Sequence, residues 1–172
     1  MNIGEGGALL LVEREGDAKA LLLGVGESSD AHHMSSPHPE GLGARMAMES
    51  ALDQAGIASS EIDYINAHGT GTQLNDAAEA QAIAAVFGNE VPVSSTKGFT
   101  GHMLGAAGAT ELVFTILAIE NGWLPANLGA EPVDPSIPIR INVRRTDRSC
   151  RTAMSTSFGF GGSNVAVIIG AA

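Results

Sequence analysis

Apolar positions along the chain follow two periods. Near the ends they gather in runs of strand length: "GALLLVERE" (7–15), "AKALLLGVGES" (18–28), "IPIRINVRR" (137–145), "RTAMSTSF" (151–158) and "NVAVIIGAA" (164–172). In the middle they recur at helical spacing. "LGARMAMESALDQAG" predicts a helix from Leu42 that stops at Gly56, and "NDAAEAQAIAAVFG" predicts one capped by Asn75 or Asp76 and closed by Gly88. "GAAGATELVFTILAIENG" (105–122) predicts a third, largely apolar helix. Two short strands lie between them, Tyr64–Ala67 and "VPVSST" (91–96). The first two runs, separated by Glu15-Gly16-Asp17, read as a hairpin. Strands that alternate with helices and are followed by further strands indicate one α/β layered domain, residues 1–172, around a mixed sheet of five strands. No linker and no internal repeat interrupts it.

Composition narrows the picture. The 172 residues are 44% apolar, poor in aromatics and rich in Ala and Gly, which suits close-packed layers and excludes disorder. A formal net charge of −10 excludes nucleic acid and anionic membrane surfaces as partners. No apolar run looks long enough to span a membrane. The opening "MNIGEGGALLLVERE" has no basic stretch ahead of its apolar run, so a secretory signal is not expected. The single cysteine, Cys150, permits no internal disulfide and fits a reducing cytoplasm. The basic residues concentrate in "RINVRRTDRSCR" (140–151), either a solvated strand edge or a docking patch for an acidic partner. His32, His33 and His38 lie in a polar loop where no Cys or carboxylate completes a ligand spacing, so a surface loop is expected there and no metal.

Three segments carry candidate chemistry. His68 follows one strand, Lys97 and His102 follow another, and "FGFGG" from Phe158 lies between two more. In open α/β sheets ligands bind where the loops at the carboxyl ends of strands converge. Glycines around both histidines let backbone approach a substrate, and two imidazoles can donate to one carbonyl oxygen or move a proton. A lysine at a helix start is disfavoured by the helix dipole, and a carboxylate such as Glu111 inside an apolar helix needs a partner. Glu111 is therefore expected to pair with Lys97 or His102. The glycine motifs match neither a phosphate-binding loop nor a dinucleotide fingerprint, so no cofactor is expected.

"NAHGTGTQLNDAAEAQA", "SSTKGFTGHMLGAAGATE" and "SFGFGGSN", in this order, resemble the C-terminal half of a β-ketoacyl-ACP synthase, a condensing enzyme with the thiolase-like fold. "GEGGALLLVE" and "LPANLGAEPVDPSIP" share the likeness, which covers essentially the whole chain. The resemblance implies a thiolase-like half and an acyltransferase of fatty acid or polyketide synthesis. In this family a cysteine carries the acyl group while His68 and His102 assist decarboxylation of malonyl-ACP. Lys97 would organise the site with Glu111, and Phe158 would supply an oxyanion-hole N–H and a gating ring. Acyl carrier protein, the N-terminal half, and a second copy or a paired ketosynthase would be the partners.

Two departures follow. The family's nucleophilic cysteine sits in the N-terminal half, and Cys150 lies in a polar turn, so this chain contains no nucleophile and is expected to be inactive alone. Thr156 stands where the family usually has asparagine before Ser-Phe-Gly-Phe-Gly-Gly. Two other readings compete. A non-catalytic partner of the chain-length-factor type tends to lose the histidines and lysine retained here. A degradative thiolase does not use this pair of motifs.

Overall fold

The computed structural model describes all residues, Met1–Ala172. Its elements run β1 (Ala20–Ser29), α1 (Leu42–Ala55), β2 (Tyr64–Asn66), α2 (Gln73–Phe87), β3 (Val93–Ser94), α3 (Lys97–Thr100), α4 (Ala107–Asn121), β4 (Trp123–Leu124), β5 (Thr146–Asp147), β6 (Thr152–Phe158) and β7 (Ser163–Ala171). Five strands form one sheet in the order β1-β7-β6-β2-β3. The long β1, β7 and β6 pair antiparallel, whereas β6, β2 and β3 run parallel. This is the mixed five-stranded α/β sheet expected.

Side chains alternate across a sheet, and the core divides accordingly. Ile65, Met154 and Ile168 point to one face, where they pack with Met48, Ala51 and Leu52 of α1 and Ile83 of α2. Tyr64 and Ala153, their neighbours in sequence, point to the other face and meet Ala118 of α4, Leu124 and Cys150. Helices thus cover both sides. α1 and α4 end as their sequences predict, at Gly56 and Gly122 with φ near 67° and 65°, a left-handed turn that glycine adopts without strain.

Four expectations need correction. The hairpin does not form: residues 7–15 make no strand, and β1 pairs with β7 instead. Local turn chemistry joined two apolar runs, but the long β7 offers β1 nine partnered positions and wins. The segment 137–145 contributes no strand to the sheet. It makes a single isolated bridge, Ile141 to Val93, in which the Val93 N–H donates to the Arg140 carbonyl and the Asn142 N–H donates to the Val93 carbonyl. α2 starts at Gln73 after Thr72, ahead of the expected caps, and Asp76 reaches back to accept from the Gly71 N–H at 3.2 Å. Finally, Leu104–Asn121, with mean hydropathy 1.2, is long and apolar enough to cross a membrane by length and composition alone. Its buried positions include Ala107, Glu111, Thr115 and Ala118, and Glu111 is engaged with Lys97.

Candidate functional site

The topology itself gathers the site. Because β2, β3 and β6 are parallel, their carboxyl ends meet at one edge of the sheet. His68 lies just beyond β2, Lys97 opens the turn of helix after β3, and Phe158 closes β6. The His68 ring stands 5.1 Å from that of His102 and 5.6 Å from that of Phe158, edge to face in both cases. Lys97 Nζ lies 3.3 Å from His68 Nδ1 and makes a buried ion pair with Glu111. All five residues singled out in the sequence therefore form one cluster. The backbone fits it closely: a side chain at Gly69, whose φ is 43°, would meet Ser95 Cβ at 2.4 Å.

The hydrogen bonds fix the protonation pattern of the two histidines. An ammonium only donates, so His68 Nδ1 must accept from Lys97, which leaves its proton on Nε2. His102 Nδ1 accepts the backbone N–H of Leu104 at 3.2 Å, which leaves its proton on Nε2 as well. Leu104 reaches this position with φ 52°, a conformation that a residue other than glycine adopts only under strain. Burial, reinforced by the Lys97 ammonium and by His102, pushes the His68 imidazole down to about 3. Burial and Lys97 lower His102 too. Near neutral pH both rings are uncharged and each offers one N–H. The Glu111 carboxyl is pushed up to about 7 by burial, which Lys97 only partly offsets. Its Oε2 is buried without a donor, as is Oδ1 of Asn66, whose amide donates to the Glu111 carbonyl at 3.0 Å.

Glu79 belongs to the same cluster and escaped the sequence reading. Its carboxylate accepts the backbone N–H groups of His68 and Gly69, both at 2.8 Å, the hydroxyl of Thr156 at 3.0 Å and the amide of Asn75 at 3.3 Å. Burial raises its carboxyl and these bonds pull it part of the way back. The available signal was an acid set between alanines on the buried face of α2, four residues before the buried Ile83.

A groove of about 940 Å³ opens beside the cluster, lined by His102, Lys97, Gly69, Thr70, Asn127 and Leu128 among others. No three His, Cys, Asp or Glu side chains are arranged to hold a metal. Cys150 lies on the other side of β2 from α1, packed with Tyr64, and burial pushes its thiol up to about 12, so it carries no thiolate near neutral pH. In the basic segment, Arg144 pairs with Glu131 at 3.2 Å and Arg145 with Asp147 at 3.0 Å, while the Arg145 guanidinium lies over Trp123. Chain neighbours thus engage two of its cations.

Comparison with known proteins gives a consistent result. Residues 19–131 match the family described as beta-ketoacyl synthase, C-terminal domain. The mitochondrial 3-oxoacyl-[acyl-carrier-protein] synthase of Arabidopsis thaliana is 45% identical over 96% of this chain and 39% of its own length. The 3-oxoacyl-[acyl-carrier-protein] synthase 2 of Coxiella burnetii is 42% identical over 97% of this chain and 43% of its own. Among solved structures, the ketosynthase ApeO in complex with its chain length factor ApeC, from Xenorhabdus doucetiae, superposes with a TM-score of 0.83 at 46% identity. That match covers 91% of this chain and 40% of the other. A β-ketoacyl synthase from Burkholderia phymatum gives 0.85 at 37% identity, covering 90% and 38%. The chain spans about two fifths of the length of the relatives it matches.

Proposed function

Because the chain belongs to the β-ketoacyl synthase C-terminal domain family, we propose that it supplies the decarboxylating half of a condensing acyltransferase site. The reaction is the Claisen condensation of malonyl-ACP with an acyl-enzyme in fatty acid or polyketide synthesis. The C–CO₂⁻ bond of the malonyl thioester breaks, CO₂ leaves, and the electron pair passes into an enolate whose charge rests on the thioester oxygen. The enolate carbon then attacks the acyl thioester held by a cysteine outside this chain, forming the new C–C bond and releasing that thiolate.

What carries this reading is the pair of neutral imidazoles, 5.1 Å apart, each left with its proton on Nε2. Two N–H donors already in place where negative charge develops lower the barrier, because they need no reorganisation during the reaction. Lys97, tied to Glu111, fixes the His68 tautomer and reinforces the burial that keeps that ring uncharged. Phe158, whose ring packs against His68, is the gating residue in this reading. The alternative, a non-catalytic partner of a ketosynthase, gives this pair and its matched tautomers no reaction to serve.

The partners in this reading are acyl carrier protein bearing acyl and malonyl groups, the cysteine-bearing half, and a second subunit. The compartment is the cytoplasm, in keeping with the single buried cysteine. The test is malonyl-ACP decarboxylation by the longer protein that carries this domain. His102→Ala is expected to slow decarboxylation about a hundred- to a thousandfold while leaving acylation of the cysteine intact. Decarboxylation at the parent rate would remove His102 from the mechanism.

A further inference from the structure

Two alternate residues of β6 grip His68 at different points. The ring of Phe158 packs against the imidazole, while Thr156, on the same face of the strand, bonds the backbone. The Thr156 side chain is fully buried, and its Oγ1 accepts the His68 N–H at 3.0 Å while donating to Glu79 Oε1 at 3.0 Å. The His68 N–H is shared between that hydroxyl and the same Glu79 oxygen. Strand, histidine backbone and buried carboxylate thus close a three-membered ring of hydrogen bonds.

We propose that Thr156 is a positioning residue: its hydroxyl locks the His68 backbone to β6 and to Glu79, so that the imidazole keeps its place. The chemistry of the groups supports this. A hydroxyl has one proton to give and lone pairs to receive, so one small atom serves the N–H and the carboxylate together. An asparagine amide also carries one donating and one accepting end, and threonine keeps both functions in a shorter, β-branched side chain that suits a strand. Glu79 is the other half of the device. Its two oxygens face four donors and no acceptor, which only a carboxylate matches. A glutamine would turn an NH₂ group toward either His68 and Thr156 or Gly69 and Asn75.

The importance of His68 rests on the condensing reading, whereas its anchoring by Thr156 does not. The test therefore uses this chain without substrate: hydrogen exchange resolved to the His68 and Gly69 amides, beside the denaturation midpoint. Thr156→Val keeps the shape and removes the hydroxyl. It is expected to lower protection at His68 about tenfold, the usual scale for losing a hydrogen bond in a buried charged network, with the Ile168 amide of β7 unchanged. Thr156→Ser is expected to restore protection, and Glu79→Gln to lower it at His68 or Gly69. Wild-type protection in Thr156→Val, or equal loss in the serine variant, would overturn the proposal. So would a loss spread evenly over Ile168 and His68, which would mean a general weakening of the sheet. A failed decarboxylation assay with these exchange results intact would count against the condensing reading alone.

Discussion

At the scale of single residues, the buried charges around Lys97 make a pH signature. The Glu111 carboxyl is raised in the folded chain from an ordinary 4.5 to about 7. The unfolded chain therefore releases this proton first as pH rises, and Glu111 erodes stability between about pH 4.5 and 7. His68 acts with the opposite sign. Its imidazole falls from 6.5 to about 3 on folding, so the unfolded chain binds the proton first as pH drops. Stability from His68 is present above pH 6.5 and is lost toward pH 3. The two slopes oppose one another between about pH 4.5 and 6.5. Glu111→Gln removes only the carboxyl's slope. The variant is less stable overall, since Lys97 loses its buried partner, yet its denaturation midpoint should rise more steeply than the parent's from pH 5 to pH 6.5. An unchanged slope would show that Glu111 ionises normally in the fold. Cys150 gives a second test at this scale. A thiol pushed up to about 12 and packed against Tyr64 is a poor nucleophile, so radiolabelled acyl-ACP should leave no label on this chain. Label on Cys150 would overturn its assignment as a structural thiol.

Between elements, close approach decides most of the packing. α1 lies directly on β1 at its glycines: a Cβ at Gly26 would come within 1.9 Å of the Ala47 carbonyl oxygen and 2.5 Å of the Ala51 nitrogen. Both are backbone atoms and cannot turn aside. Gly26→Ala is therefore expected to cost about 1–3 kcal/mol or more, read as a lower denaturation midpoint. Gly56→Ala, in open space, should cost only the strain of its left-handed backbone. The abundance of small residues was legible in the sequence as tight layering, but the particular glycines that touch were not. The extent of α1 and the ends of α1 and α4 were legible because local signals, apolar spacing and a closing glycine, settle them. The partner of β1 was not, since pairing with β7 spans most of the chain and leaves no local trace. The site divides the same way. His68, Lys97, His102, Glu111 and Phe158 stood out by residue type and motif. Glu79 and Thr156 act through hydrogen bonds to backbone across three elements: the place of Glu79 among alanines hinted only at burial, and Thr156 stood out only as a departure from the family's asparagine.

The whole molecule exposes more surface than a self-sufficient domain of its size. A compact protein of 17.5 kDa shows about 7,900 Å² of accessible surface, whereas this chain shows 9,272 Å². The excess, about 1,400 Å², exceeds the roughly 800 Å² that one partner contributes to a standard interface. Its location is partly visible. Leu9, Leu11 and Val12 lie in a segment without strand partners, at 101%, 85% and 72% exposure, and Ile3, Leu104 and Phe160 are exposed as well. On α4, Leu112, Val113, Phe114 and Ile116 are only half-buried, although all four side chains are apolar. Water is a poor neighbour for so much hydrocarbon, and a net charge of −10 repels like chains without covering it. The isolated chain is therefore expected to associate with itself or, on the function proposed above, with the cysteine-bearing half of a synthase. Sedimentation at micromolar concentration should show species above the monomer, and added salt should strengthen that association by screening the repulsion. Leu9→Asp together with Leu11→Asp, both fully or nearly fully exposed, should shift the chain toward monomer without lowering its denaturation midpoint. A parent chain that sediments as a monomer at every salt concentration would mean that the exposed hydrocarbon folds back on itself, and that the chain is a closed unit.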